Sequence, residues 1–456
     1  MNSYTFFKML LLFSLSFLSC KKYLDVKPST YLAVPNSDVD FLALLDNAEV
    51  MNLGSPRGTS AFGAFSSDDY FLIPTAINSM AEEVVQGYTY RRSDIFFGYP
   101  VTDWKIVYSP IYYANLCLEG LNENSKLHNQ IKGSALFFRA YYHLSLLWDY
   151  GKAYHSVDSK KDLGIILRTS TKNITLPRST VEECYKQILE DLHEAAELLP
   201  DVPSHVMRPS KAACFALLAR TCLSMRDYEN ALNFATECLK IKSNLLDFKQ
   251  ITFSGNTPFA QYAYSWNPGE VIFYSEMNKA SLGVYLAGSN ARVDTTIFES
   301  YSTTDIRKTA FFKASGGYHQ FIGSYAGRSA FLFSGLATDE IYLIKAECLA
   351  RKGLKDSSLN VLNTFLKHRH NDNFTPLTFG SEDEVLQAIL QERRKELLYR
   401  GIRWSDIKRL NLEGFNISLH RKIGNETYTL LPNSNYFALP LPRDLIELTG
   451  VTDNPE

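Results

Sequence analysis

The chain has 456 residues, 45% of them hydrophobic and 21% charged, with a formal net charge of -2. That balance supplies ample material for a core and argues against disorder as the main theme. It also lacks the concentrated positive field that a phosphate backbone requires, so no nucleic acid is expected as a partner.

Residues Met1 to Cys20 carry Lys8, then an apolar run from Met9 to Leu18 broken by Ser14 and Ser16, then Ser19-Cys20. A bilayer span needs roughly 20 apolar residues, and this run has about half that, so residues 1–19 read as a cleaved secretory signal. A cysteine directly after a small residue at the end of such a run suggests lipidation of Cys20 and a membrane moored through the N-terminus. The alternative is a soluble secreted protein cut nearby. Residues 20–456 then form a single exported body, divided at about 245 into an N-terminal helical part and a C-terminal part that begins with a loop-rich stretch.

An irregular region from Gly54 to Tyr108 contains Asp68 and Tyr70, and is followed by a helical pattern from Ser134 to Tyr150. The clearest periodic segment is Thr180 to Leu199, where Tyr185, Ile188, Leu189, Leu192, Ala195 and Ala196 recur at helical steps. Thr180 followed by Glu183 predicts a capping box, and Pro200 ends the helix. Next come two stripes, Cys214 to Met225 and Tyr228 to Leu239, joined after Asp227 as a hairpin. The hairpin recurs: Ala216–Leu239 aligns without a gap on Leu343–Leu366, pairing Ala219 with Ala346, Leu232 with Leu359 and Asn233 with Asn360. Such tetratricopeptide-like pairs cannot bury their apolar faces alone and must stack. The fold class expected is therefore mainly α, with long irregular loops and minor short β-strands.

Between the hairpins, about Asp247 to Thr338, Gly, Ser, Thr and aromatics replace the helical spacing. A long irregular stretch in a compact body is usually functional. Trp266 leads the ligand candidates, because no helical stripe buries it; packing under the loop is the competing reading. Tyr262, Tyr264, Asp68, Tyr70, Arg292, Tyr318 and Tyr325 are further candidates by location. Trp104 and Trp148 fall on helical patterns and read as core.

Six cysteines besides Cys20 lie mostly on apolar stripes, and Cys214 and Cys222 sit too far along one face to bridge, so buried free thiols are expected. No Cys/His spacing suggests a metal, and no cofactor motif is present. Glu392 and Glu396 lie one helical turn apart, the residue types a glycosidase needs, yet Arg393, Arg394 and Arg400 would keep both ionised. A structural ion-pair network is expected instead, and no catalytic residue. His368 and His370 read as solvated surface groups; Trp404 and Asp406 read as packing and capping groups.

Several segments, in chain order, resemble the RagB/SusD family. Cys20 to Pro28 (CKKYLDVKP) looks like its post-lipidation start, Trp104–Tyr108 with Ile111 and Ala114-Asn115 like its "W..lY..I..aN" helix, and Lys132–Tyr142 like "gEA.flRAyyy" with Ser134 in place of Glu. Arg208–Arg220 is similar to "ra.k.aa.allAr". The most specific block is Glu392–Leu397 followed by Gly401–Arg409, similar to "ERR.EL.fEG.RW.DL.R", with Arg400 where the family often has an acid. Leu439–Pro442 and Asp453–Pro455 resemble its end. The resemblance implies a non-catalytic, surface-facing outer-membrane lipoprotein that binds a glycan and serves a TonB-dependent transporter. It marks no ligand residue, since those vary with substrate. A helical-repeat protein for peptides or other nutrients, and a secreted glycoside hydrolase, are the alternatives.

Overall fold

The computed structural model describes residues 35–92 and 102–455. The signal segment and Cys20 lie outside these. α1 (Asp38–Leu45) starts at a Ser37/Asp40 capping box and packs on α2 (Asp103–Gly120). α2 packs on α3 (His128–Tyr150), and α3 on α4 (Val181–Leu198). α3 is buried on almost every side, and Gly133 is what lets α4 close on it. A Cβ there would stand 2.7 Å from the Leu199 side chain.

The capping box expected at α4 is present, with Thr180 accepting from Glu183 and Glu183 accepting from the Thr180 backbone. Thr180→Ala is expected to cost about 1 kcal/mol in urea denaturation, since it orphans a helix N–H. α5 (Lys211–Met225) and α6 (Tyr228–Ile241) form the first hairpin, turned by Arg226 in the left-handed region with Asp227 capping α6. α7 (Thr338–Arg351) and α8 (Lys355–Leu366) form the second, and α7 packs directly on α6. The aligned positions share environments: Ala219 and Ala346 are buried, Leu232 and Leu359 half-buried, Asn233 and Asn360 exposed. α9 (Glu382–Glu396), α10 (Arg403–Asn411) and α11 (Arg443–Thr449) complete the longer helices. Among the described residues no helix is long and apolar enough to cross a membrane.

Strands are short and antiparallel. β1 (Tyr70–Leu72) pairs with β3 (Ala291–Val293), and β2 (Val271–Phe273) with β6 (Leu336–Ala337). β4 (Phe312–Ser315) pairs with β5 (Tyr318–Phe321), and β7 (Leu419–Ile423) with β8 (Glu426–Leu430). The six described cysteines are buried and free. Trp104, Trp148 and Trp404 are core residues.

The acid pair on α9 belongs to a buried ionic network. Arg307 meets Asp305 (2.7 Å), Glu392 (2.6 Å) and Glu396 (3.0 Å), while Arg369 joins Glu396 and Glu270, both at 2.9 Å. Burial works to raise the Glu396 pKa, but Arg369 and Arg307 outweigh it and hold the group lower, so it stays ionised. Glu270, Asp339 and Glu396 bring carboxylate oxygens within 4.8 Å of one another, and the charge facing them is guanidinium, with Arg400 on Asp339 at 2.6 Å. Asp406 is likewise an ion partner, of Arg393 and Arg409 (both 2.8 Å), rather than a cap.

His370 corrects the surface reading. It is 7% exposed, because the chain after α8 runs beneath residues 304–305, where Asp305 and His370 form a backbone bridge and the Thr304 hydroxyl lies 3.0 Å from the ring. His368 is half-buried against the Thr364 carbonyl.

Candidate functional site

The hairpin β4–β5 turns on Gly316 (φ 60) and Gly317 (φ 80), a left-handed pair that glycine adopts at little cost. Its register sets Lys313 opposite Gln320 and Ser315 opposite Tyr318. Because alternate strand residues share a side, these four side chains form one face. On the other, Phe312 packs on Phe298 and Phe321 stacks on Tyr399 at 4.8 Å.

The first face borders a cleft of about 190 Å³, lined among others by Asn256, Ser289, Lys313, Gln320, Arg328 and Phe331. Gln320 donates to the Gly288 carbonyl (2.8 Å), and Lys313 donates to the Asn256 amide oxygen (3.0 Å). Arg328 donates to the Glu276 carboxylate (3.0 and 3.2 Å), and its guanidinium carbon lies 3.9 Å from the Phe331 ring centre. Both cations line the cleft and are anchored there, Lys313 on Asn256 and Arg328 on Glu276. Glu276 also accepts from the Tyr274 hydroxyl (2.6 Å), which in turn receives the Tyr264 hydroxyl (3.4 Å). One buried carboxylate thus ties the 261–268 loop to the cleft.

The predicted ligand residues divide sharply. Tyr318 is 44% exposed, its ring steadied edge-on by Phe71 at 5.0 Å, and Tyr264 is 43% exposed beside His205. Trp266 is half-buried: the Lys242 ammonium sits 4.7 Å from its ring centre and also bonds the Trp266 and Gly269 carbonyls, so the loop and indole are pinned together. Tyr262 is half-buried against the core.

The other four are corrections. Tyr70 is 2% exposed and donates to the Phe65 carbonyl, and Tyr325 is 2% exposed and donates to Glu270. Arg292, 7% exposed, donates to the carbonyls of Ser289, Ala291 and Ser315, bracing β3 against the hairpin. Asp68 is clasped by Arg403 (2.7 Å) and Arg394 (2.8 Å). Burial pushes its pKa up, yet the two guanidiniums hold it well below the carboxylate range. The two tyrosines turn inward because other rings enclose them: Tyr70 meets Phe65, Tyr88 and Tyr399, and Tyr325 meets Phe259 and Phe333. Lys313, Gln320, Arg328 and Phe331 were not singled out by sequence; apart from loop location they carry no local signal.

An exposed tyrosine beside a cleft of amide, ammonium and guanidinium donors suits a ligand with an apolar face and a hydroxylated rim.

Comparison with known proteins points the same way. A family model described as "Starch-binding associating with outer membrane" matches residues 22–223, and one described as "SusD family" matches residues 260–437. The SusD-like protein P2 of Formosa agariphila is 25% identical over 408 residues, 74% of this chain and 76% of that protein. Among solved structures, a SusD superfamily protein from Bacteroides fragilis superposes with a TM-score of 0.73 at 22% identity, covering 92% of this chain and 99% of that one. A SusD-like carbohydrate binding protein from Bacteroides vulgatus gives 0.66 at 22% identity, covering 90% and 96%. These last two likenesses establish the fold.

Proposed function

Because this chain belongs to the SusD/RagB family, its two parts each matching a model of that family, we propose that it is a non-catalytic glycan-binding lipoprotein of a bacterial outer membrane that serves a TonB-dependent transporter. The observation that carries the binding part of this reading is the exposed Tyr318 ring on the same hairpin face as Lys313 and Gln320. A ring can cover the CH-rich face of a pyranose while the amide and ammonium meet its hydroxyls. The absence of chemistry on the ligand is supported by the acid pair: Glu392 and Glu396 are bound to Arg307, Arg369 and Lys395, leaving neither free to donate a proton.

Affinity electrophoresis through gels containing plant, host and microbial polysaccharides tests the reading. Retardation without release of reducing ends is expected. Tyr318→Ala combined with Gln320→Ala should weaken that retardation about tenfold, equivalent to about 1.4 kcal/mol. Release of reducing sugar, or unchanged mobility of the double variant, would count against it. Attachment through Cys20 has its own check: Cys20→Ser should move the protein from the membrane fraction to the soluble fraction.

A further inference from the structure

A second groove, remote in sequence from the hairpin cleft, runs between α2, the extended segment 166–176 and α11. Its volume is about 680 Å³ against about 190 Å³ for the cleft, which gives room for several sugar units rather than one. Its floor is a ladder of rings, Trp104, Tyr108 and Tyr112, at four-residue steps along α2. Each step advances about 6 Å along the helix axis, close to the length of one pyranose unit.

The ladder climbs out of the protein. Trp104 is 4% exposed, Tyr108 half-buried and Tyr112 48% exposed. Trp104 and Tyr108 rings lie 5.1 Å apart, and the Tyr108 hydroxyl is fixed on the Ile166 carbonyl at 2.7 Å. The facing wall is held just as firmly: Asn115 donates to the Arg168 carbonyl (2.8 Å), and Glu119 accepts the Thr171 N–H (2.8 Å). These ties preorganise the groove, which lowers the ordering cost of binding.

Among the described residues that line the groove, Lys105, Arg168 and Lys172 are cationic and none is a carboxylate. Lys105 is paired with Asp444 at 2.7 Å. Among the described residues Arg168 donates to the Lys172 carbonyl alone (3.2 Å), through one terminal nitrogen of its fork, and the Lys172 side chain is exposed. A planar donor fork of this kind matches a carboxylate or sulfate.

We propose that this groove is a second carbohydrate site, taking an extended oligosaccharide that bears acidic groups, with Tyr112 and the half-buried Tyr108 beneath the sugar rings, the core residue Trp104 packed behind Tyr108, and Arg168 and Lys172 on the acids. The proposal rests on the reading of the chain as a glycan binder but assigns a different surface and a narrower ligand class.

The test is affinity electrophoresis of the full chain in gels of polygalacturonate and carrageenan, carboxylated and sulfated respectively, beside neutral dextran, laminarin and xylan. Retardation on at least one acidic polysaccharide is expected, weakening with added salt. Tyr112→Ala, and Arg168→Ala with Lys172→Ala, should each weaken it about tenfold, as loss of a ring contact or a charge-assisted hydrogen bond would. All three changed positions are half-buried or exposed, so melting temperatures should match the parent. The Tyr318→Ala, Gln320→Ala protein should retain acidic binding. Undiminished retardation of both groove variants overturns the proposal. So does retardation on neutral gels alone, which would leave the hairpin cleft standing. Retardation on none of the five removes both.

Discussion

Replacing Arg369 with methionine is expected to lower the unfolding free energy by about 3–5 kcal/mol, the range for breaking a buried ion pair from one side. Arg369 is wholly buried. It donates to Glu396 (2.9 Å), to both oxygens of Glu270 (2.9 Å each) and to the Leu246 carbonyl (2.9 Å), with Phe248 and Phe365 against its guanidinium. Glu396 would keep Arg307. Among the described residues Glu270 would keep the Leu246 N–H and the Tyr325 hydroxyl as donors to its carboxylate, and so would stand as a buried charge with no cation in ion-pair contact. Adding Glu270→Gln should restore much of the loss, because the amide is uncharged: its oxygen can take the Leu246 N–H that now meets Oε1, and its NH2, in the place of Oε2, can donate to the Tyr325 hydroxyl oxygen. Urea denaturation of the three proteins decides the matter. A change below about 1 kcal/mol for the single variant would mean that the network does not hold this region together.

Asp149→Asn is expected to stabilise the protein increasingly as pH rises from about 4 to 7, and then by a constant amount. The reason is a count of protons at Ser60. Its one hydroxyl hydrogen faces two carboxylates, Asp103 (2.9 Å) and Asp149. Burial pushes both acids upward, but Asp103 also accepts the N–H groups of Ala61 and Phe62 (2.7 Å each) and the Asn278 amide (3.0 Å). Asp103 is therefore the better placed to be ionised, and Asp149, raised from 3.8 to about 7 chiefly by burial, keeps its proton.

An acid whose folded pKa is raised contributes stability that is complete below its unfolded pKa and disappears as pH climbs through the folded one. The window runs from 3.8 to about 7. A shift of that size corresponds to something on the order of 4 kcal/mol at its upper limit. Asparagine cannot ionise and presents an N–H₂ where the protonated acid presented O–H. The difference between the two proteins should thus be small at pH 4 and largest above pH 7. Lys408, lowered to about 7 by burial, works in the opposite sense: its contribution is complete above its unfolded pKa and is lost as pH falls through about 7. Asp149 is one of the groups that raise the Lys408 pKa, so the substitution also leaves Lys408 lower, and the difference between the proteins reports the pair. A difference that does not change between pH 4 and 8 would refute the proton assignment.

Much of the scaffold could be read from local order. The α4 capping box and the repeated hairpin both appear where the spacing puts them, because helix period and cap chemistry act within a few residues. That the acid pair on α9 sits in an ion network was legible, but its partners were not: Arg307 and Arg369 reach it from far along the chain, while the flanking Arg393, Arg394 and Arg400 pair with Asp406, Asp68 and Asp339. His370 was misread because its burial comes from residues 304–305, more than sixty positions away in the chain, which no local pattern reports.

The binding surface shows the division most clearly. Sequence alone determined that this is a mainly helical chain of paired, capped, amphipathic helices, that its six cysteines besides Cys20 are packing residues, and that aromatics concentrate in the irregular stretches. Only the tertiary structure decided that Tyr70 and Tyr325 turn inward while Tyr318 and Tyr264 remain at the surface, and that the ring ladder on α2 faces Arg168 across an open groove. The physical reason is that a helix or strand has a period which assigns each side chain a face, whereas an irregular segment has none. Its rings are sorted by contacts with residues far along the chain, and those contacts exist only once the chain has folded.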